Sequence, residues 1–269
     1  MHEVPGPNAE LAERVTGPPP QRRAVKAFEY GPFEHDSWRS RRALWVEVIV
    51  VMCLAVFPDI VRAAMYLVGS VDGQVPQTPW TIFGGIVARS LSVVAPFWLI
   101  VHLGGTRPSE FGHGRIRPLA DVLIGAVLFV LMTYGPSLVT YPIAIAAHFS
   151  GFGAELSSVR AAAAHYAAPS GAWAWSAIAA TGVINGYTEE LIMRGYLIVR
   201  LRRLLGSAVG AIVVTSALWG AYHAYYGGYH MAYIGLGGAV LGAYFAWSKR
   251  LWPVVIAHVI GDIVPYWYM

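Results

Sequence analysis

From Ala43 onward the chain is a succession of predominantly apolar runs, most of them near the roughly 20 helical residues that a bilayer core requires. Lipid offers no partner to a backbone N–H or C=O, so such runs fold as helices that satisfy their own hydrogen bonds. Composition agrees. Of 269 residues, 56% are hydrophobic and 13% charged, whereas a soluble domain carries about a quarter charged residues. The expected fold class is all-α, a polytopic transmembrane helix bundle of about seven spans, or eight. The runs lie near 43–68, 80–103, 119–148, 172–200, 207–226, 229–248 and 252–268. The third contains Pro136 and Pro142 and is expected to bend there, because proline removes a backbone donor and crowds the preceding turn.

Basic residues mark alternate connections. Arg39, Arg41 and Arg42 precede the first run, Arg107, Arg115 and Arg117 follow the second, Arg200, Arg202 and Arg203 follow the fourth, and Lys249 and Arg250 precede the seventh. The intervening loops hold only Arg160. The positive-inside rule then places the N-terminus in the cytoplasm. The net charge of +4 is thus a topology signal and not a nucleic-acid-binding one. Residues 1–42, rich in proline and charge, lack the apolar run of a signal peptide and read as a flexible cytoplasmic tail. Residues 43–269 read as one transmembrane domain, with the chemistry-bearing motifs in 172–269. The single cysteine, Cys53, excludes an intrachain disulfide and is expected to be a small buried core residue. Glu47, Asp59, Arg62, Arg89 and Asp121 read as interface-anchored or mutually paired, with Asp59 and Arg62 a candidate pair.

Charged groups inside spans are rare and point to function. The stretch YTEELIMRGYL carries Glu189, Glu190 and Arg194. Glu190 and Arg194 are four apart and share a helix face. Glu189 lies about 100° round the helix from its neighbour and is free to point elsewhere. Taken alone, this is either an ion pair at the membrane surface or a catalytic carboxylate with a partnered neighbour. WGAYH ends in His223, which alone reads as a core histidine as readily as a catalyst. HVIGD places His258 and Asp262 four apart on one face, which alone is also compatible with a helix-internal hydrogen bond. The combination is more specific, because three runs each contribute titratable groups able to face inward. One geometric difficulty accompanies it. At the α-helical rise, His223 lies about 24 Å along its run from Ser207, and His258 about 9 Å from Trp252.

Read in order, EELIMR, the Trp219-to-His223 motif and the His258-to-Asp262 motif resemble the EExxxR, FxxxH and HxxxN/D pattern of the CAAX protease and bacteriocin-processing family, also called the Abi family. That family includes the type II CAAX prenyl endopeptidases. The resemblance is strongest over 170–269 and extends more weakly to TRPSEFGHGRIRPLADVLIGAVL. It implies an intramembrane glutamate-dependent endopeptidase acting on prenylated CAAX-like proteins or on peptides of the bacteriocin type. Glu189 would activate water, His223 would share that water, and His258 with Asp262 would stabilise the oxyanion. Glu190 and Arg194 would support the site, and Trp219, where phenylalanine is usual, would keep an aromatic packing role. Asp262 stands where asparagine often stands. An ionised carboxylate cannot donate to an oxyanion, so Asp262 must be protonated or act by orienting His258.

The implied partners are a protein or peptide substrate and the bilayer, with no nucleic acid and no cofactor. Zinc is the rival, since Glu189, His223 and His258 are acceptable ligands, but there is no HExxH pair. There is no GxSxG nucleophile turn and only a fragment of GxGD. A non-catalytic scaffold or immunity-type partner is a second alternative, and a transporter a third, though no repeat halves are visible. Residue usage rich in Ala, Gly, Arg and Pro points to a bacterial chain, and so to a plasma or inner membrane.

Overall fold

The computed structural model describes residues 41–67, 78–149 and 171–265. Residues 1–40 of the expected tail and the loop carrying Arg160 lie outside the described residues. The described residues are helical and contain no strand. Helix α1 spans Arg41–Ala55 and α2 Phe57–Leu67; α3 spans Pro79–Leu103, and a short 3-10 turn at Pro108–Phe111 leads to α4, Pro118–Phe149. Helix α5, Gly171–Glu190, passes directly into a π-helical segment, Leu191–Ile198, and then into α6, Val199–Leu205. Helices α7, Ala208–Tyr222, α8, Gly228–Ser248, and α9, Leu251–Ile263, complete the described chain.

Local chemistry fixes the helix ends. Pro79 at the first position suits α3, and the Thr78 hydroxyl accepts from the Thr81 amide at 3.2 Å. At the start of α4, Asp121 accepts from the Arg117 amide at 2.7 Å. Gly206, with φ 68°, ends α6 in the left-handed conformation. Ser207 then caps α7 by accepting from the Gly210 amide at 3.0 Å.

Helix α4 runs unbroken through Pro136 and Pro142. Hydroxyls gather where proline disturbs the ladder, as is usual where lipid provides no partner. Ser137 donates to the Thr133 carbonyl, Tyr233 of α8 donates to the same carbonyl at 2.8 Å, and Thr140 donates to the Pro136 carbonyl.

By length and composition, α3, residues Pro118–Ala146 of α4 and α8 can each cross a membrane, and α1 with α2 can make a further span across a 41° bend. That supports three or four crossings among the described residues by this measure, and the seven or eight expected would require the shorter apolar helices to cross as well. Helices α7 and α9 are apolar but short, and the continuous run through α5, the π segment and α6 carries Glu189, Glu190 and Arg194 in its middle and Arg200, Arg202 and Arg203 near its end. Large apolar side chains such as Leu103, Leu119, Leu138 and Trp173 are exposed on the outer surface, as expected for helices facing lipid. Cys53 belongs to that face. It is exposed, contrary to the expected burial, because an apolar run in a bundle has a lipid face as apolar as its core face.

The run from α5 through α6 forms the centre. All eight residues of the π segment are buried. Helix α3 packs on α5, α9 packs on both α4 and α5, and α8 packs on α4 and α7. Phe97, Phe111 and Tyr196 fill one side with ring centroids 5.4 to 5.8 Å apart. The charged residues of the first runs are paired, and mostly with later elements. Arg200 reaches Glu47 and Thr106, each at 3.0 Å, and Arg250 pairs with Asp121. The main partner of Asp59 is Arg89 at 2.9 Å, with Arg62 farther off at 3.8 Å.

Helices α7 and α8 cross at glycine. A Cβ on Gly220 would stand 2.5 Å from the Met231 carbonyl and 3.3 Å from the Gly235 backbone. Gly220→Ala is therefore expected to force the helices apart and lower stability by roughly 1–3 kcal/mol. Denaturant unfolding in detergent micelles measures this; an unchanged midpoint would show that the crossing is not close-packed.

Candidate active site

Adjacent glutamates at the end of α5 turn to different neighbours. Glu190 is fully buried, and its Oε1 accepts from Arg194 at 2.8 Å and from His258 Nδ1–H at 2.7 Å. The Arg194 guanidinium lies 4.1 Å from the centre of the Trp219 ring, and its Nη2 is 3.4 Å from the Gly238 carbonyl. Gly238 is glycine for a steric reason, since a Cβ would approach the Trp219 ring to 2.6 Å. The expected ion pair exists, but the backbone after Glu190 is π-helical and not α-helical. A π turn holds an extra residue, rotates the residues beyond it, and occurs often at functional sites.

Glu189 is also buried, with Oε2 accepting from the indole N–H of Trp219 at 2.8 Å and from the hydroxyl of Tyr222. Trp219 thus does more than pack. It supplies a donor that phenylalanine lacks. His258 Nε2 lies 3.8 Å from Glu189 Oε2 and 3.4 Å from Asp262 Oδ1, so one imidazole stands among three carboxylates. Asp262 accepts from Asn185 Nδ2 at 3.0 Å.

His223 caps α7, and its Nδ1–H donates to the Trp219 carbonyl at 2.8 Å, which leaves the Nε2 lone pair available. Its ring centroid lies 5.7 Å from that of Trp219, and the His258 centroid lies 5.4 Å from Trp219 on its own contact. Both histidines therefore pack on one indole, and the difference counted along the sequence does not keep them from the same site.

Six of the seven candidates, namely Glu189, Glu190, Arg194, Trp219, His258 and Asp262, form one connected cluster, and His223 packs against it through Trp219. Sequence reading missed Tyr222, Asn185 and Arg89, whose Nη1 is 3.9 Å from Glu189 Oε1. Tyr222 was detectable, because it lies three residues after Trp219 and so shares its face. Arg89 was read only as interface-anchored or mutually paired, and nothing local marked Asn185. No group of three or more His, Cys, Asp or Glu side chains among the described residues is arranged to hold a metal ion.

Residues 171–264, from α5 to α9, match the family model for type II CAAX prenyl endopeptidase Rce1-like proteins. This part of the chain is similar to that family. No curated protein and no solved structure matches the chain. The Rce1-like segment contains all seven candidates, and protease activity attaches to it at the level of the family. The apolar helices and the family match of this segment together support an integral membrane protein.

A histidine outside the spans braces the site. His113, between α3 and α4, contacts the Tyr187 hydroxyl at 3.0 Å, two residues before Glu189, and its ring meets Trp98 and Trp252 edge-on. Burial pushes its imidazole below the ordinary value, a nearby backbone hydrogen bond opposing in part. The folded state therefore favours neutral His113. Its contribution to stability is complete above the unfolded value of about 6.5 and is lost as pH falls through that value toward the lowered folded one. Thermal melts between pH 7 and 5 should fall more steeply for the wild type than for His113→Gln. Parallel curves would contradict this.

Proposed function

We propose that the protein is an intramembrane endopeptidase in which Glu189 activates water to cleave a peptide bond of a prenylated CAAX-type or other membrane-associated peptide substrate. The observation that carries this reading is the division of labour between the oxygens of one buried carboxylate. Oε2 is held by Trp219 and Tyr222, whereas Oε1 lies 3.9 Å from Arg89 Nη1, and both residues line a cavity of about 10 Å³, about the space of one water molecule.

In this reading Glu189 takes a proton from the water as general base. His258 is fixed by Glu190 through Nδ1, so its Nε2 side is presented to the reacting centre and stabilises the oxyanion. Asp262 orients His258 and needs no proton for that role; its acceptance from Asn185 suits a carboxylate. His223 offers Nε2 for proton transfer to the leaving amine. Glu190 and Arg194 compensate each other's charge and hold His258. No metal enters the scheme. The remaining apolar helices complete a seven-span bundle with a cytoplasmic N-terminus in a bacterial membrane.

The test uses purified full-length protein in micelles, a farnesylated CAAX peptide, and mass spectrometry with and without a chelator. The expected result is release of the peptide's C-terminal fragment at a rate the chelator leaves unchanged. Absence of cleavage would count against the endopeptidase reading, and loss of cleavage in chelator would replace Glu189-activated water with a metal site.

A further inference from the structure

Arg89 enters the site from α3, outside the segment that carries the family match. Asp59 of α2 holds one side of its guanidinium. Nε donates to Asp59 Oδ2 at 2.9 Å, and Nη2 donates to the same oxygen. The remaining nitrogen, Nη1, is buried and has no hydrogen-bond partner among the described residues. It lies 3.9 Å from Glu189 Oε1, and Arg89, Glu189 and Tyr222 line the cavity of about 10 Å³. The Thr188 hydroxyl, also in that wall, is engaged by the Ile184 carbonyl and Ser90.

A separation of 3.9 Å is too long for a direct hydrogen bond and short enough for one water to bridge. A buried donor without a protein partner, beside a space for one water, calls for a water as its partner. Building on Glu189 as the base, we propose that Arg89 is a further catalytic residue, one that holds the attacking water together with Glu189. Nη1–H donates to the water oxygen, and one water O–H donates to Glu189 Oε1.

As the proton passes to Oε1, a lone pair of the water oxygen forms the bond to the substrate carbonyl carbon, and the carbonyl π pair moves onto its oxygen. Collapse of that intermediate breaks the C–N bond, and the amine leaves with the proton that came from the water. Arg89 keeps its own protons throughout. Its fixed charge stabilises the hydroxide-like oxygen at the moment charge develops, inside a site that excludes bulk solvent. Asp59 is the positioning residue that aims the guanidinium.

Arg89→Lys tests this directly. Lysine retains a charge for Asp59 but lacks the planar fork that serves Asp59 and the water together. With the farnesylated peptide, kcat should fall roughly 100-fold, as for loss of one preorganised donor, while KM moves less than about threefold. Glu189→Gln is measured alongside. Wild-type kcat in Arg89→Lys with an inactive Glu189→Gln overturns the role of Arg89 alone. Undiminished cleavage by Glu189→Gln overturns the reading of the site itself. A second measurement requires neither turnover nor a variant. An experimental structure of the full chain, at a resolution that shows waters, should place one between Arg89 Nη1 and Glu189 Oε1, and a dry gap there overturns the proposal.

Discussion

Arg194→Met is expected to be among the most destabilising single substitutions in the protein, with a loss of roughly 3–5 kcal/mol. Arg194 is 2% exposed and Glu190 is 0% exposed. Deleting the guanidinium leaves a buried carboxylate with His258 as its remaining hydrogen-bond partner and removes the cation from the face of Trp219. Glu190→Gln combined with Arg194→Met should recover much of the loss, because two neutral side chains replace an uncompensated charge. Unfolding free energies of the two single variants and the double variant in mixed micelles measure this. Additive losses, or a single variant within about 0.5 kcal/mol of the wild type, would show that the pair is not desolvated as described.

Glu189→Gln carries the largest expected effect on activity. The substitution keeps the size of the side chain and an oxygen able to accept from Trp219 and Tyr222, so the fold should persist. It removes the base. General acid–base catalysis contributes about 10²–10⁴-fold in rate, and cleavage should fall by at least that factor while the melting temperature stays close to wild type. The effect on Glu190 is of a different kind. Glu190 holds Arg194 and His258 by hydrogen bonds at 2.8 and 2.7 Å, and its replacement should lower stability together with activity. Adjacent glutamates thus separate into one whose loss is chiefly kinetic and one whose loss is also structural.

The site was legible where its chemistry depends on local spacing. Glu190 and Arg194 are four apart in an apolar run, and charge in such a run demands a partner. The Trp219, His223, His258 and Asp262 motifs were likewise local. Contacts between helices were not. No spacing rule joins Arg89 to Glu189, or Asn185 to Asp262, and the donor role of Trp219 depends on which way Glu189 turns. Asp59 shows the same limit. The neighbouring Arg62 was the local candidate, but Arg89 on another helix is closer.

At the level of the fold, apolar runs identify helices and do not distinguish a lipid face from a core face. Cys53 illustrates this, exposed on α1 within a run that reads the same on both sides. The π segment was also invisible, because its residues read as an ordinary apolar helix with one arginine. The number of crossings is a related case. Hydropathy alone gave seven runs, whereas helix length and charge content among the described residues support three, or four with the bent α1–α2 pair.

The central claim, that Glu189 activates the water that cleaves a peptide bond, is tested most directly by comparing wild type and Glu189→Gln on the same farnesylated CAAX peptide. Purified, equally folded proteins are incubated in parallel, and the products are identified by mass spectrometry. The account predicts a C-terminal fragment from the wild type and none above the uncatalysed level from Glu189→Gln over the same period. The same fragment, released at a comparable rate by Glu189→Gln, would contradict it.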